Sequence, residues 1–286
     1  MFPLSHNVNA TRVARVDVLL RTTRHFLIFF TGLALLLLAA GAQADWGPVG
    51  SAGFSAGPAN YTSLAFGPDG APYVAYEDYG NGQKATVMRY DSVSGAWEPV
   101  GSAGFSAGTV YTTSLAFGPD GAPTVAYEDD DNGDKATVMR FNSVSGAWEP
   151  VGSVGFSADI VNYTSLAFGP DGAPTVAYED WGNSQKTTVM RFNSVSGAWE
   201  LVGSAGFSAG EAYYTSLAFG PDGAPTVAYM DNGNGDKATV MRFTAPLPAG
   251  GAAPIPALNE AALALLALLL AAGAAAGKRR GGSVER

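Results

Sequence analysis

Carboxylate pairs recur along this chain at a fixed interval. Glu77-Asp78, Glu128-Asp129 and Glu179-Asp180 follow one another at steps of 51 residues. Two carboxylates on either side of a sugar linkage are what a glycoside hydrolase needs. An active site is needed only once, however, whereas these pairs repeat, and cations repeat with them. We therefore predict that the pairs are structural and form ion pairs with the recurring cations Lys84, Lys135, Lys186, Lys237, Arg89, Arg140, Arg191 and Arg242.

The side chains that most catalysis requires are scarce. The 286 residues include no cysteine and two histidines, His6 and His25, both of which precede a predicted signal cleavage site. A mature chain without either residue type has no thiolate zinc site, no cysteine nucleophile and no serine–histidine–aspartate triad. We therefore predict that the protein is not an enzyme, holds no metal and uses no cofactor. A carboxylate-dependent hydrolase or lyase is the alternative.

One acidic loop raises the question of calcium. Asp129, Asp131 and Asp134 surround Gly133 and could offer oxygen ligands to Ca²⁺. The loop lacks the bidentate glutamate of an EF-hand, and the other repeats lack its carboxylates. A solvated acidic loop is the prediction, and calcium binding stays open.

The charge of the central region excludes nucleic acid as a partner. Residues 45–258 contain 22 acidic and 8 basic residues, a net charge of −14. Binding to a phosphate backbone requires the opposite sign.

Aromatic rings beside carboxylates form a second candidate set. They lie where the repeats differ from one another, and they suit stacking on sugar rings or holding a peptide, because they combine broad rigid surfaces with directional acceptors. We predict that these residues bind an extracellular polymer, glycan or protein; harmless variation in loops is the alternative. The set comprises Tyr61, Tyr79, Tyr111, Asp130, Tyr163, Trp181, Glu211, Tyr213 and Tyr214.

A four-fold repeat must position these residues. Trp46, Trp97, Trp148 and Trp199 are 51 residues apart, and such a period indicates a repeat architecture. Within each unit apolar residues alternate as in strands, and turns such as Pro68-Asp69-Gly70 separate the strands. Four short strands per unit predict an all-β fold over residues 45–247, a four-bladed β-propeller. The pattern resembles kelch and NHL blades.

Two features of the propeller follow from the phase of the repeat. The last unit lacks an outer strand, whereas the first unit is preceded by an additional one that begins at Trp46. We therefore predict that the strand beginning at Trp46 pairs with the last blade and closes the ring. An open β-only solenoid and two chains sharing one larger ring are the alternatives. Both variable connections of each blade leave it at the same end, so the candidate binding residues should share one face.

The first 44 residues have the pattern of a secretory signal. Four arginines precede an apolar stretch over residues 26–40, and Ala42-Gln43-Ala44 is a cleavage site. We predict residues 1–44 as a signal peptide cleaved before Asp45; an uncleaved N-terminal anchor is the alternative.

The C-terminus has three parts. After a linker at residues 248–254, a short motif precedes an apolar run at residues 261–277 and the basic cluster Lys278-Arg279-Arg280. The run is long enough for a transmembrane helix. The arrangement resembles the IPTL-type sorting domain, matched by Ile255, Pro256 and Leu258, whereas Ala257 replaces threonine and Ala261-Ala262 replace Trp-Gly. The resemblance implies recognition of residues 255–286 by an exosortase-like sorting transpeptidase; a plain membrane anchor is the alternative.

Together these features predict an exported protein. It would pass through an inner-membrane-anchored intermediate, held by its C-terminal helix, to the cell surface or the extracellular space. There the propeller would act as a binding or structural module. A passive surface spacer without a specific ligand is the alternative.

Overall fold

The computed structural model describes residues 45–245. The predicted signal peptide, the linker, the sorting motif and the C-terminal helix lie outside these residues. The described residues divide into two units, residues 45–52 and residues 53–245. No helix within the described residues is long and apolar enough to cross a membrane.

All fifteen strands lie in the larger unit, and successive strands along the chain pair as antiparallel neighbours in four sheets. We call these sheets the first to fourth blades. Their strands are β1 Ala59–Phe66, β2 Pro72–Asp78, β3 Lys84–Asp91, β4 Ala96–Pro99; β5 Val110–Phe117, β6 Pro123–Asp129, β7 Lys135–Asn142, β8 Ala147–Pro150; β9 Val161–Phe168, β10 Pro174–Asp180, β11 Lys186–Asn193, β12 Ala198–Leu201; and β13 Ala212–Phe219, β14 Pro225–Asp231, β15 Lys237–Arg242.

Local sequence explains each blade. Proline and glycine in Pro68-Asp69-Gly70 favour a tight turn, in which Gly70 takes a φ of 76° and its N–H donates to the Gly67 carbonyl at 2.9 Å. Between the second and third strand of each blade the chain forms a short 3-10 turn. These turns span Tyr79–Asn81, Asp130–Asn132, Trp181–Asn183 and Asn232–Asn234.

The core lies between consecutive blades. Leu115 of the second blade is buried in one cluster with Val87 of the first, and the same arrangement joins the later blades. Trp148 is stacked on Phe105 at 4.2 Å between ring centroids, and its Nε1 donates to the Val100 carbonyl at 2.8 Å. The prediction of an all-β fold with four propeller-like blades is confirmed.

The prediction of a closed ring is wrong. The fourth blade has three strands, and Trp46 lies in a segment without regular secondary structure, where it is fully exposed. Leu64 on the first blade and Val240 on the fourth are 61% and 65% exposed, although their counterparts elsewhere are buried. The arc therefore ends in two uncovered apolar faces.

Candidate functional site

The two variable connections of each blade meet at one end of the blade. The first backbone N–H of each 3-10 turn donates to a carbonyl of the connection that leads into the inner strand. Tyr79 donates to Pro58 at 3.1 Å, and Trp181 donates to Ile160 at 3.1 Å. In the first blade the contact is so close that a Cβ at Gly57 would lie 2.6 Å from the Gly80 nitrogen. The candidate residues of each blade therefore share one end.

Each inner strand contains a bulge, and these bulges position several of the candidate binding residues. Tyr61, Thr112, Tyr163 and Tyr214 occupy equivalent positions and have φ values of 47°, 47°, 52° and 56°. Such a left-handed conformation is uncommon outside glycine and is held by surrounding contacts. Here the hydroxyl of Thr113 donates to the Tyr61 carbonyl, so the following blade fixes the bulge.

Five tyrosines come together at these bulges. Tyr61 and Tyr111 meet edge to face at 6.2 Å between centroids, and Tyr163 lies 6.1 Å from Tyr213 and 4.7 Å from Tyr214. Tyr61 and Tyr214 are 48% and 66% exposed, so rings are open to a ligand. We call Tyr61, Tyr111, Tyr163, Tyr213 and Tyr214 the tyrosine surface.

The remaining predicted residues lie around the tyrosine surface. Tyr79 accepts a hydrogen bond at its hydroxyl from the Asn60 side chain at 3.2 Å, and Glu211 accepts one from the Tyr213 hydroxyl at 2.5 Å. Trp181 and Asp130 begin the 3-10 turns of the third and second blades, and both are exposed.

The aspartate and the glutamate of each recurring carboxylate pair have different surroundings. Asp78 is structural, because it accepts hydrogen bonds from the Gly80 N–H at 3.0 Å, the Asn81 side chain at 2.8 Å and the Thr86 hydroxyl at 2.9 Å. The prediction that the recurring arginines form ion pairs with the Glu-Asp carboxylates is wrong. Arg89 instead pairs with Asp69 at 2.7 Å, at the opposite end of the blade, and the other three arginines pair with Asp120, Asp171 and Asp222.

The sequence predicts a structural role for the glutamates, and the structure places them near the tyrosine surface. Glu77, Glu128 and Glu179 are 1%, 7% and 1% exposed, and they lie opposite the inner-strand positions next to the bulges. Glu77 Oε1 and Glu128 Oε2 are buried without a hydrogen-bond partner. An unsatisfied buried oxygen is costly, so a hydrogen-bond donor from outside the chain would stabilise these two glutamates.

Burial raises the pKa of all three glutamates. The pKa of Glu128 rises to about 8, first because of burial and then because of the charges of Asp134, Glu179 and Asp130. Burial raises the pKa of Glu179 to about 7. The rise is smaller there because the side chain of Asn162 hydrogen-bonds to the carboxylate and partly offsets the effect of burial. Burial also raises the pKa of Glu77, and a side-chain amide offsets it in the same way. At neutral pH Glu128 is therefore mostly a neutral acid that can donate as well as accept a hydrogen bond.

One difference between the repeats accompanies the higher pKa of Glu128. The amide opposite the glutamate in the first and third blades, Asn60 and Asn162, is replaced by Tyr111 in the second. The exchange is visible in the sequence of the repeats once strand register shows which residue lies opposite each glutamate.

The acidic loop of the second blade offers no assembled metal site. The Asp129 carboxylate accepts from the Asn132 side chain at 2.8 Å and from the Thr137 hydroxyl at 2.7 Å. Within residues 45–245 no group of three or more potential ligands is arranged to hold a metal ion.

Comparison with known families identifies the C-terminal segment. Residues 253–280 match the IPTL-CTERM motif, and Ile255, Pro256 and Leu258 lie within the match. The motif supports a C-terminal sorting domain in an exported, cell-surface-anchored protein. It implies membrane anchoring and processing by an exosortase-type system. No curated protein matches the chain.

Three solved structures illustrate the likeness of the repeat region. An α-L-arabinanase from Penicillium chrysogenum, complexed with arabinobiose, has a TM-score of 0.46 at 14% identity, over 66% of this chain and 69% of that one. An endo-1,4-β-xylanase from Bacteroides thetaiotaomicron has a TM-score of 0.43 at 14% identity, over 64% and 69%. An ulvan lyase of polysaccharide lyase family PL25 has a TM-score of 0.42 at 12% identity, over 57% and 43%, so this chain spans less than half of its length.

These matches correct the prediction that the chain is not an enzyme. A xylanase, a polysaccharide lyase and an arabinanase occur among its structural matches. Glycan cleavage needs neither histidine nor cysteine, so the lack of both residue types in residues 45–245 does not exclude catalysis. Carboxylates alone serve glycan cleavage, and the buried glutamates supply them. At TM-scores below 0.5 the likeness assigns no activity to this chain, nor does it single out the kelch or NHL kind of blade.

Proposed function

We propose that the repeat region is a cell-surface module that binds a neutral glycan polymer across the tyrosine surface. The observation that carries this proposal is the placement of exposed and half-buried tyrosine rings near buried glutamates on three consecutive blades. Sugar rings stack on aromatic faces, and their hydroxyls pair with carboxyl oxygens.

The repetition of the site favours a polymer over a small ligand. The inner strands of successive blades place equivalent bulges side by side, so each blade offers a similar station to a repeating chain. Weak contacts at linked stations add up to strong binding.

The charge favours a neutral polymer. Residues 45–258 have a net charge of −14, which repels polyuronates and sulfated glycans. Glu128, with a pKa near 8, adds little to this charge at neutral pH. We further propose that an exosortase-like transpeptidase cuts the chain after the motif at Ile255, following membrane insertion of the C-terminal helix.

Retention on polysaccharide tests the binding proposal. Full-length protein in detergent should bind insoluble neutral polymers such as xylan, arabinan or cellulose and pass through a polyuronate. Tyr214→Ala and Tyr163→Ala should each reduce retention about 2- to 10-fold, since stacking on one ring contributes about 0.5–1.5 kcal/mol. Val195→Ala, 96% exposed in a turn at the other end of its blade, is the matched control. If no neutral polymer is retained, the region is a passive spacer.

A carboxylate-dependent glycan hydrolase or lyase is the second candidate. The observation in its favour is Glu128, a buried acid that stays protonated near neutral pH beside Glu179. Release of soluble sugar from a retained polymer, lost in Glu128→Gln while retention persists, would establish it.

A further inference from the structure

The two ends of the arc carry the two kinds of face that pack on each other between consecutive blades. Three times within the chain, a leucine of an inner strand is buried against the preceding blade: Leu115, Leu166 and Leu217 are 6%, 6% and 7% exposed. The equivalent Leu64 on the first blade is 61% exposed. The first blade therefore shows the face that every later blade buries.

The fourth blade shows the complementary face. Val87, Val138 and Val189 are 1%, 1% and 4% exposed, because the following blade covers each of them. The equivalent Val240 is 65% exposed. What covers this position elsewhere in the chain is another copy of the same 51-residue unit.

The polar contacts of the interface are also divided between the two ends. The Leu115 N–H donates to the Ser63 hydroxyl at 2.9 Å, and the Leu217 N–H donates to the Ser165 hydroxyl at 2.9 Å. By the same spacing, Ser216 on the fourth blade holds the acceptor and Leu64 on the first holds the donor. The two faces thus match in hydrogen bonding as well as in apolar surface.

The fourth blade has a cavity at the position that a tryptophan side chain fills in the preceding blades. In the preceding blades Trp148 and Trp199 are stacked on Phe105 and Phe156 at 4.2 and 4.1 Å between centroids. Their counterpart Phe207 instead lines a cavity of about 220 Å³ together with Val202 and Phe243.

The chain carries a side chain that fits this cavity. Trp46 precedes Trp97 by one repeat length, and Trp46-Gly47-Pro48-Val49 repeats the form of Trp97-Glu98-Pro99-Val100. Trp46 is fully exposed. By its position in the repeat it is the counterpart of the stacked residues Trp148 and Trp199.

We propose that two copies of this chain join head to tail. The first-blade face of each copy, at Leu64, packs on the fourth-blade face of the other, at Val240, and Trp46 enters the cavity beside Phe207. The occupant is a second copy because Leu64 and Val240 belong to one compact unit and both stay exposed in it. Two such contacts related by a two-fold axis close a ring of eight blades and leave neither face uncovered.

The mass of the full-length protein in detergent, measured by light scattering with the detergent subtracted, tests the proposal. The native protein should have twice the mass of the Leu64→Asp and Val240→Asp variants. These positions are exposed within a single copy, so the variants should fold, which circular dichroism checks. Val93→Asp, at a position 93% exposed in a turn, should keep the native mass. Equal masses for the native protein and Leu64→Asp would overturn the proposal.

Disulfide trapping identifies the contact. The chain has no cysteine, so a chain with Leu64→Cys mixed with a chain with Ser216→Cys should yield a covalent dimer containing one of each. The double variant should form its disulfides between copies. A disulfide confined to a single chain would show that the ring closes on itself and would overturn the proposal.

Discussion

Glu128 of β6 lies opposite Tyr111 of β5, whereas the corresponding glutamates of the first and third blades lie opposite asparagines. The pKa of Glu128 rises to about 8 through burial and the charges of Asp134, Glu179 and Asp130, whereas the Asn162 side chain partly offsets burial at Glu179, where the pKa rises to about 7. The repeats thus share one backbone and differ in the chemistry of their inner edge.

Restoring the amide should lower the pKa of Glu128. In Tyr111→Asn the new side chain can donate to the carboxylate and favour its charged form, so the pKa should fall from about 8 towards the value of about 7 at Glu179. Carboxyl carbon shifts followed by NMR against pH measure this change. Tyr213→Asn is the control, because Tyr213 lies opposite Met230 and should leave Glu128 unchanged.

Glu128→Gln should remove a pH dependence of stability. The folded protein binds a proton at Glu128 more tightly than the unfolded chain does, where the pKa is about 4.3. Its contribution to stability is therefore complete below pH 4 and is lost as the pH rises towards 8. Glutamine stays neutral, so at pH 9 the variant should have a free energy of unfolding about 1–3 kcal/mol higher than the native protein. Denaturant titrations at pH 4 and pH 9 measure this difference, and the exposed Glu98→Gln should show none.

Loss of a structural aspartate should destabilise its blade. Asp129 is 1% exposed and binds Asn132 and Thr137, so Asp129→Ala leaves those donors unpaired and should cost about 2–4 kcal/mol of unfolding free energy. Its exposed neighbour Asp130 offers the matched control, and Asp130→Ala should stay within about 0.5 kcal/mol of the native protein. Comparable losses in both variants would contradict the structural role of Asp129.

Two equivalent phenylalanines should differ in their effect on stability. Phe156→Ala removes the ring stacked on Trp199 and should cost about 3–5 kcal/mol. Phe207→Ala should cost less in a variant held as a single copy by Leu64→Asp, because Phe207 lines a cavity there. Chemical denaturation of both variants in that background makes the comparison, and equal costs would argue against the cavity.

The mature termini report on export and sorting. Mass spectrometry of protein recovered from the cell surface should find Asp45 at the N-terminus and a C-terminus near Ile255, because both flanking segments have the pattern of processed signals. A chain starting at Met1 would contradict cleavage, and a chain ending at Arg286 would favour a plain membrane anchor.

Much of the fold could be predicted from the sequence because each blade is built from local signals. The alternation around Leu64 and the turn at Asp69 define strands without reference to distant residues. The open ring could not be predicted in this way. Closure depends on the angle between blades, which packing across all interfaces determines, and the position of Trp46 along the chain does not reveal that angle.

The candidate site was predictable in part. Variation between repeats led to Tyr61 and Tyr163, because surface residues are free to vary while a repeated core is not. The same reasoning dismissed Glu128, since it recurs. Its environment differs from that of Glu179 through the nearby Asp130 and Asp134 and through a residue on the neighbouring strand, and that strand partner is visible only once strand register is known.

The hydrogen bond from Leu115 to the Ser63 hydroxyl has a consequence for how this protein can change over generations. The contacts that join one blade to the next repeat along the chain, and every strand pairs only with strands of its own sheet. Removing or adding one 51-residue unit would therefore leave every other blade intact. Because the units are nearly identical, unequal recombination within the coding sequence would produce such changes readily, and descendants of this chain should vary in length by whole blades.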